Sequence, residues 1–247
     1  MESNVERVEM IEKELIRDFF KGKESGFFIE VGANEPDLIY SQTFHLEKNH
    51  NWNGILIEPI DYLYDKLKHA RTGAKAFQVA CTSKEKTGIA TLKIPVSGDH
   101  EITGHACLEV NVDHSLLHKT RNVEVDAVTL NSLLESEKIT EVDFLSIDVE
   151  GTELDVLRGF DLCKYSPKLI IVEDRMVFLS KHLYLKKHGY QVFRRTGFNN
   201  WYAKSESLPD TKFSTRLNLF RKIYLSSWIK RTRETFRMGT LKTFTKI

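Results

Sequence analysis

Hydrophobic positions along this chain follow two alternating rhythms: short unbroken apolar runs, and stretches in which apolar residues return every three or four positions. The first rhythm marks strands buried on both faces, and the second marks helices with one apolar side. Residues 4–21 read as an amphipathic helix through Val8, Ile11, Leu15, Ile16 and Phe19, expected to pack across a sheet. A strand follows at 27–31, then a crossover helix at 39–49, a strand at 55–58 and a helix at 61–70 entered from Pro59, which together make a βαβ unit. Residues 76–80 read as a third strand.

Beyond it, 88–95 and 121–130 alternate enough to be strands or extended segments around a polar loop at 96–120, where the pattern is least legible. The two rhythms then resume with a strand at 142–148, a helix at 153–160, a strand at 168–173 and a helix at 176–188. An antiparallel pair, 190–195 and 199–203 around Thr196-Gly197, closes the body. Strands alternating with helices and ending in a hairpin imply an α/β fold whose sheet is mostly parallel with an antiparallel edge.

With 247 residues and 41% hydrophobic content, the chain can bury one full-sized core carrying an appendage. The expected division is an N-terminal helical segment over 1–25, a catalytic domain over 26–205 and a tail over 206–247. No apolar run approaches the roughly 20 residues that cross a bilayer, and the start MESNVERVEMIEKEL is acidic rather than basic-then-apolar, so a cytoplasmic location is expected. Cys81, Cys107 and Cys163 are too few and too dispersed for a CxxC zinc site or a complete disulfide framework.

The net charge of +1 conceals an asymmetry: residues 212–247 hold ten Lys and Arg against one acid, Glu234, leaving an acidic body with net charge −8. Phe213, Leu217, Phe220, Tyr224 and Trp228 form one aromatic-rich helical stripe there, among Arg221, Lys222, Lys230, Arg231 and Arg233. A basic amphipathic helix of this kind can lie on an anionic membrane, which would make the protein peripheral at that surface. Packing on the acidic body or a homo-oligomer contact is the competing expectation. Nucleic acid ranks third, since no recognised reading module accompanies the charge.

Candidate chemistry gathers where strands run into acids: Glu30 in FFIEVGANEP, Glu58 in GILIEP, Asp148 and Glu150 in SIDVEG, and Glu173 in IVED. In a parallel sheet these carboxyl ends share one edge, so residues distant in sequence converge. The position of Glu58 suits a carboxylate accepting hydrogen bonds from a ribose diol, and the turn after the first strand suits a nucleoside-bearing cofactor. Singly, each acid could equally be a solvated strand end or a helix cap; the joint pattern argues for a site. Crowded acids can also bind a divalent cation, a possibility that spacing alone leaves open, and no metal ligand is assigned.

The segments GFFIEVGANEP, SQTFHLEKNHNWNGILIEP, VEVDAVTLNSLLES, VDFLSIDVEGTELDVLRGF, KLIIVE and GYQVF, in that order over about 26–203, resemble the FkbM family of S-adenosylmethionine-dependent methyltransferases. SIDVEGTELDVLRG is the sharpest match. The resemblance implies the class I methyltransferase fold, a Rossmann-like, doubly wound seven-stranded sheet with one reversed strand, and S-adenosyl-L-methionine as cofactor. It implies that Glu30, Gly32, Ala33 and Asn34 form the loop holding the methionine portion, that Glu58 meets the ribose and that Ala80 lies beside adenine. Ser41 and Thr43 fall on the helix after the loop, near the cofactor or as ordinary caps. The family's typical acceptors are hydroxyl groups of sugars, glycolipids and polysaccharides.

Asn34 and Pro36 stand where a methyltransferase glycine signature often has Gly. The absence of a full G-x-G-x-x-G turn also argues against a nicotinamide enzyme, whose pyrophosphate needs close backbone approach. Expected roles follow: Asp148 orients the acceptor or the methionine end, Glu150 and Glu173 act as bases or acceptor-binding acids, and His105 lies in the acceptor region. The function expected is an O-methyltransferase acting on a sugar or glycoconjugate hydroxyl. Its rival is a non-catalytic protein of the same fold that engages a membrane or partner through the tail.

Overall fold

The computed structural model describes residues 4–36, 41–98, 100–108, 119–175, 178–225, 227–230 and 232. Seven helices and eleven strands follow one another along these residues: α1 (Asn4–Phe19), β1 (Phe27–Val31), α2 (Phe44–His50), β2 (Asn53–Ile57), α3 (Asp61–Ala70), β3 (Ala74–Phe77), β4 (Ala80–Cys81), β5 (Gly88–Ser97), β6 (His100–Glu101), β7 (Thr120–Val128), α4 (Leu130–Ser136), β8 (Phe144–Ile147), α5 (Glu153–Arg158), β9 (Leu169–Glu173), α6 (Ser180–Lys187), β10 (Tyr190–Thr196), β11 (Asn199–Lys204) and α7 (Phe213–Phe220). The main sheet has the order β10-β11-β9-β8-β1-β2-β3. Pairing is parallel from β9 through β8, β1 and β2 to β3, and β11 runs antiparallel to both β9 and β10. The reversed strand therefore lies one place inside the edge rather than at it: after α6 the chain enters the sheet as outermost β10, and the tight turn folds β11 back against β9.

Alternation along each central strand builds two cores. Ile29, Val31, Ile55, Ile57, Leu145, Ile147, Ile170 and Val172 face α4, α5 and α6 through Leu134, Val156, Leu157 and Leu185. Phe28, Leu56, Phe144, Leu169 and Ile171 face the opposite way, onto Ile16 of α1, Leu46 of α2 and Leu67 of α3. Because both faces are covered, these strands read as continuous apolar runs. In α1 the burying side is Ile16 with neighbouring Phe20, while Ile11 is exposed. The expected helices at 39–49 and 176–188 are shorter, beginning at Phe44 and Ser180; residues 37–40 and 176–177 lie outside the described residues.

The stretch expected as one strand at 76–80 divides. Its first part ends at Phe77, whose carbonyl accepts from the Glu58 amide at 3.1 Å, and Ala80–Cys81 crosses to a second sheet of order β4-β7-β5-β6. There β5 and β7 pair antiparallel from Gly88↔Ala127 to Pro95↔Thr120. Ile60, Leu63, Ala80, Leu92, Ile94, Val125 and Ala127 form its own core, which seats this small sheet beside α3 at the carboxyl end of β2. Within the region of weakest sequence pattern, residues 100–108 form a flap over the edge where the acids gather, while 99 and 109–118 lie outside the described residues.

Candidate active site

The turn after β1 is set by Gly32, whose φ is +82° and whose added Cβ would lie 1.8 Å from the Asp148 carbonyl oxygen. Only glycine permits both that left-handed backbone and that approach of β1 to β8. Asn34 follows with φ of 50°, a conformation Asn tolerates better than most side chains, and this accounts for Asn at a position where Gly is common. The Asn34 amide donates to Glu58 Oε2 at 2.9 Å, and the Ile60 amide donates to Oε1 at 2.9 Å. Glu58 is thereby pinned between the two loops that leave β1 and β2. Burial pushes its carboxyl up to about 7, against these two hydrogen bonds, which act to lower it.

These loops and the flap enclose a cavity of about 190 Å³. Gly32, Asn34, Glu58, Ala80, Asp148 and Glu150 line it, so the structure brings together residues from β1, β2, β4 and the end of β8. Ile57, Ile60, Val79 and Leu92 supply apolar wall, and Thr103, Gly104, Ala106 and Leu108 form the flap side. Thr103 Oγ1 donates to Asn34 Oδ1 at 3.3 Å, tying flap to loop. Thr152 also lines the cavity, and its buried Oγ1 has no hydrogen-bond partner among the described residues.

Glu30, Ser41 and Thr43 assemble elsewhere. Strand alternation turns Glu30 to the side of Phe28, away from Val31 and the cavity. Buried there, it accepts from Ser41 Oγ at 2.8 Å, Thr43 Oγ1 at 2.5 Å and the Gln42 amide at 2.7 Å. Arg71, fully buried, donates to Ser41, Thr43 and Glu47 and lies 3.9 Å from Glu30. This network braces the loop from behind rather than facing a ligand, and Ala33 packs with the core on the same side.

On the other flank, Asp148, Glu150 and Glu173 each offer an oxygen, and the three lie within 4.8 Å of one another, a spacing a divalent cation can bridge. Enclosure by the chain, with the Glu173 and Glu150 carboxylates alongside, holds the Asp148 carboxyl well above the ordinary range. Solvent reaches its side chain through the cleft, which makes the like charges the firmer cause. Burial, then Glu173 and Glu153, pushes Glu150 up to about 7. Its backbone adopts φ of 55°, an uncommon state for a side-chain-bearing residue. His105, half exposed in the flap, places Nδ1 3.3 Å from Glu150 Oε1. Neighbouring Glu153 is itself paired with Lys181 at 2.8 Å.

Thr152 and the flap residues Thr103, Gly104, Ala106 and Leu108 went unassigned in the sequence. A signal existed for Thr152, which lies within SIDVEGTEL, but a threonine before a helix reads first as a cap. Those flap residues have none, because they reach the cavity only by contacts distant in sequence, such as Thr103 to Asn34.

A seven-stranded sheet with one reversed strand, a glycine turn after β1 and an acid after β2 define a class I methyltransferase. Residues 30–192 match the methyltransferase FkbM domain, and the chain belongs to that family. A curated relative, "Methyltransferase 1" of Beauveria bassiana (strain ARSEF 2860), is 26% identical over 172 residues, covering 62% of this chain and 68% of its own. Among solved structures, a protein of the NADB-Rossmann superfamily from Streptococcus agalactiae aligns at TM-score 0.46 and 10% identity, over 97% of this chain and 85% of that one. The delta-N METTL16 MTase domain aligns at 0.41 and 12%, over 79% and 80%. The cofactor is S-adenosylmethionine, as the family requires. The cavity suits it: a buried carboxylate for a diol, apolar wall for a flat base, and an unused hydroxyl on Thr152.

Proposed function

We propose that the protein transfers a methyl group to a hydroxyl oxygen of a sugar or glycoconjugate, using Asp148, Glu150 and Glu173 to bind the acceptor and remove its proton. The observation that carries this reading is the carboxylate triad at the cavity mouth, with Glu150 held at about 7. S-adenosylmethionine supplies an electrophilic methyl on a sulfonium centre. Glu58 is suited to hold the ribose hydroxyls as an ionised acceptor, and the Gly32–Asn34 turn to cradle the methionine end. An alcohol is a poor nucleophile until its proton leaves, and a carboxylate titrating near neutrality can accept that proton at working pH. Asp148, its carboxyl raised beside two acids, can donate to the acceptor or share a proton with Glu173. His105, paired with Glu150, offers a route for the proton to solvent and steadies the base.

The test is an acceptor screen with radiolabelled methyl donor against free sugars, glycolipid extracts and polysaccharide fragments, with product linkage read by mass spectrometry. Methyl ethers on sugar oxygens are expected. Label carried only on nitrogen or sulfur, across acceptors of every class, would refute oxygen as the target.

A further inference from the structure

We infer that the C-terminal helix is an interfacial anchor that seats the protein on an anionic bilayer, with a basic pocket beside it receiving a lipid phosphate. The inner side of this helix is fixed to the body. Leu219 and Ile223 are buried against Leu179 and Val192, and Tyr224 Oη lies 2.8 Å from His182 Nε2. After α7 the chain continues as a wider π turn over Arg221–Leu225 and resumes as α-helix at 227–230, where Lys230 Nζ donates to the Arg175 carbonyl at 2.9 Å. Leu219, Ile223 and buried Ser227 recur every four residues, so the face that packs is not the aromatic stripe.

That stripe is left outside. Phe213 is 79% exposed, Phe220 53% and Trp228 68%, with Leu217, Leu225 and Ile229 exposed beside them. Only Tyr224 of the stripe turns partly inward. Lys212, Arg216, Arg221 and Lys222 stand exposed among these apolar chains, and no acid occurs between Lys212 and Arg233. Arg231 and Arg233 lie outside the described residues.

Between this helix and the β10–β11 turn lies a second cavity, of about 310 Å³, lined by Arg195, Gly197, Phe198, Lys222 and Lys230. The Arg195 guanidinium is held in place by the Gly197 carbonyl at 3.2 Å and Asn200 Oδ1 at 3.0 Å. Three cations around one concavity fit a phosphate, although buried Asp174 nearby offsets part of their charge. A soluble anion or a nucleic acid would use these cations and leave six large apolar chains in water; an anionic bilayer takes both. Lys230, on the wall of this pocket, reaches the Arg175 carbonyl, two residues beyond Glu173.

Trp52 and Trp201 are fully buried, so Trp228 alone of the three tryptophans reports contact with lipid. The full chain is mixed with phosphatidylcholine vesicles with or without about one third phosphatidylglycerol. A blue shift of emission and co-flotation are expected on the anionic vesicles only. Lys222→Gln with Lys230→Gln is expected to weaken partition roughly thirtyfold, at about 1 kcal/mol per cation, and Phe220→Ser with Trp228→Ser to abolish flotation. Unchanged S-adenosylmethionine affinity in both variants certifies their fold. Absence of flotation, equal recovery on neutral vesicles, undiminished binding by either variant, or a Trp228 response to short RNA but not to vesicles would each overturn the assignment. None of these readouts needs turnover, so the outcome is independent of the methyl-transfer reading.

Discussion

Three side chains decide what the site can do, and each can be tested alone. Gly32→Ala places a methyl 1.8 Å from the Asp148 carbonyl oxygen on a backbone at φ of +82°. We expect a loss of more than about 3 kcal/mol in urea melts, because β1 and β8 must part for the methyl to fit. Glu58 titrates at about 7 in the free protein, and under the proposed reading the ribose hydroxyls bind its ionised form. Cofactor affinity should therefore be flat above about pH 8 and fall by up to about tenfold between pH 8 and pH 6. Glu58→Gln should bind weakly at both pH values, with that slope gone in calorimetric titrations; a slope that survives the substitution would assign it to another group. Asp148→Asn keeps the shape of its side chain while losing the carboxylate. Turnover should drop by about 100-fold or more with most cofactor binding kept, and unchanged turnover would reject its role.

Elements determine which of these residues could be seen in advance. Central strands covered on both faces must be apolar throughout, so an acid at the end of β2, β8 or β9 stands out against its own strand, and Glu58, Asp148 and Glu173 were legible for that reason. Glu30 stood out equally, but its face depends on the register of β1, and one position of alternation sends it to Arg71 instead of the cavity. That placement yields its own prediction. Arg71→Met should strand the buried Glu30 and Glu47 without their cation and lower stability by about 3–5 kcal/mol, read from the urea midpoint. Alternation made β5 and β7 readable as strands or extended segments, but the flap they carry was illegible because its seat is a core assembled from Ile60, Leu92 and Val125 that no single window contains. In the tail the aromatic spacing was visible, yet the slimmer row of Leu219 and Ile223 took the packed side, a choice made by the groove between α6 and β10.

Across the whole molecule, concentrating acids at one sheet edge should leave a signature in stability against pH. Glu58 and Glu150 titrate at about 7 when folded, burial also raises Glu12, and enclosure together with the neighbouring Glu173 and Glu150 carboxylates raises Asp148. A carboxyl whose folded value exceeds its unfolded value contributes stability that is complete below the unfolded value and is lost as pH rises through the folded one. Two histidines oppose this: burial lowers His45 to about 3 and also depresses His182, so both withdraw stability as pH falls below their unfolded range near 6.5. Between pH 6 and pH 8 the two carboxyls at about 7 outweigh the depressed imidazoles, which act only at the lower part of the window. The ligand-free protein should thus melt higher at pH 6 than at pH 8, with about 2–4 °C for each kcal/mol gained. Asp148→Asn with Glu150→Gln should remove much of that difference by raising the melting temperature at pH 8, where the crowded charges are most costly, while leaving pH 6 nearly unchanged. Equal pH dependence in the parent and the double variant would mean that these carboxyls are already ionised in the fold at neutral pH, and the edge would then hold its charge by solvation or a bound cation rather than by retained protons.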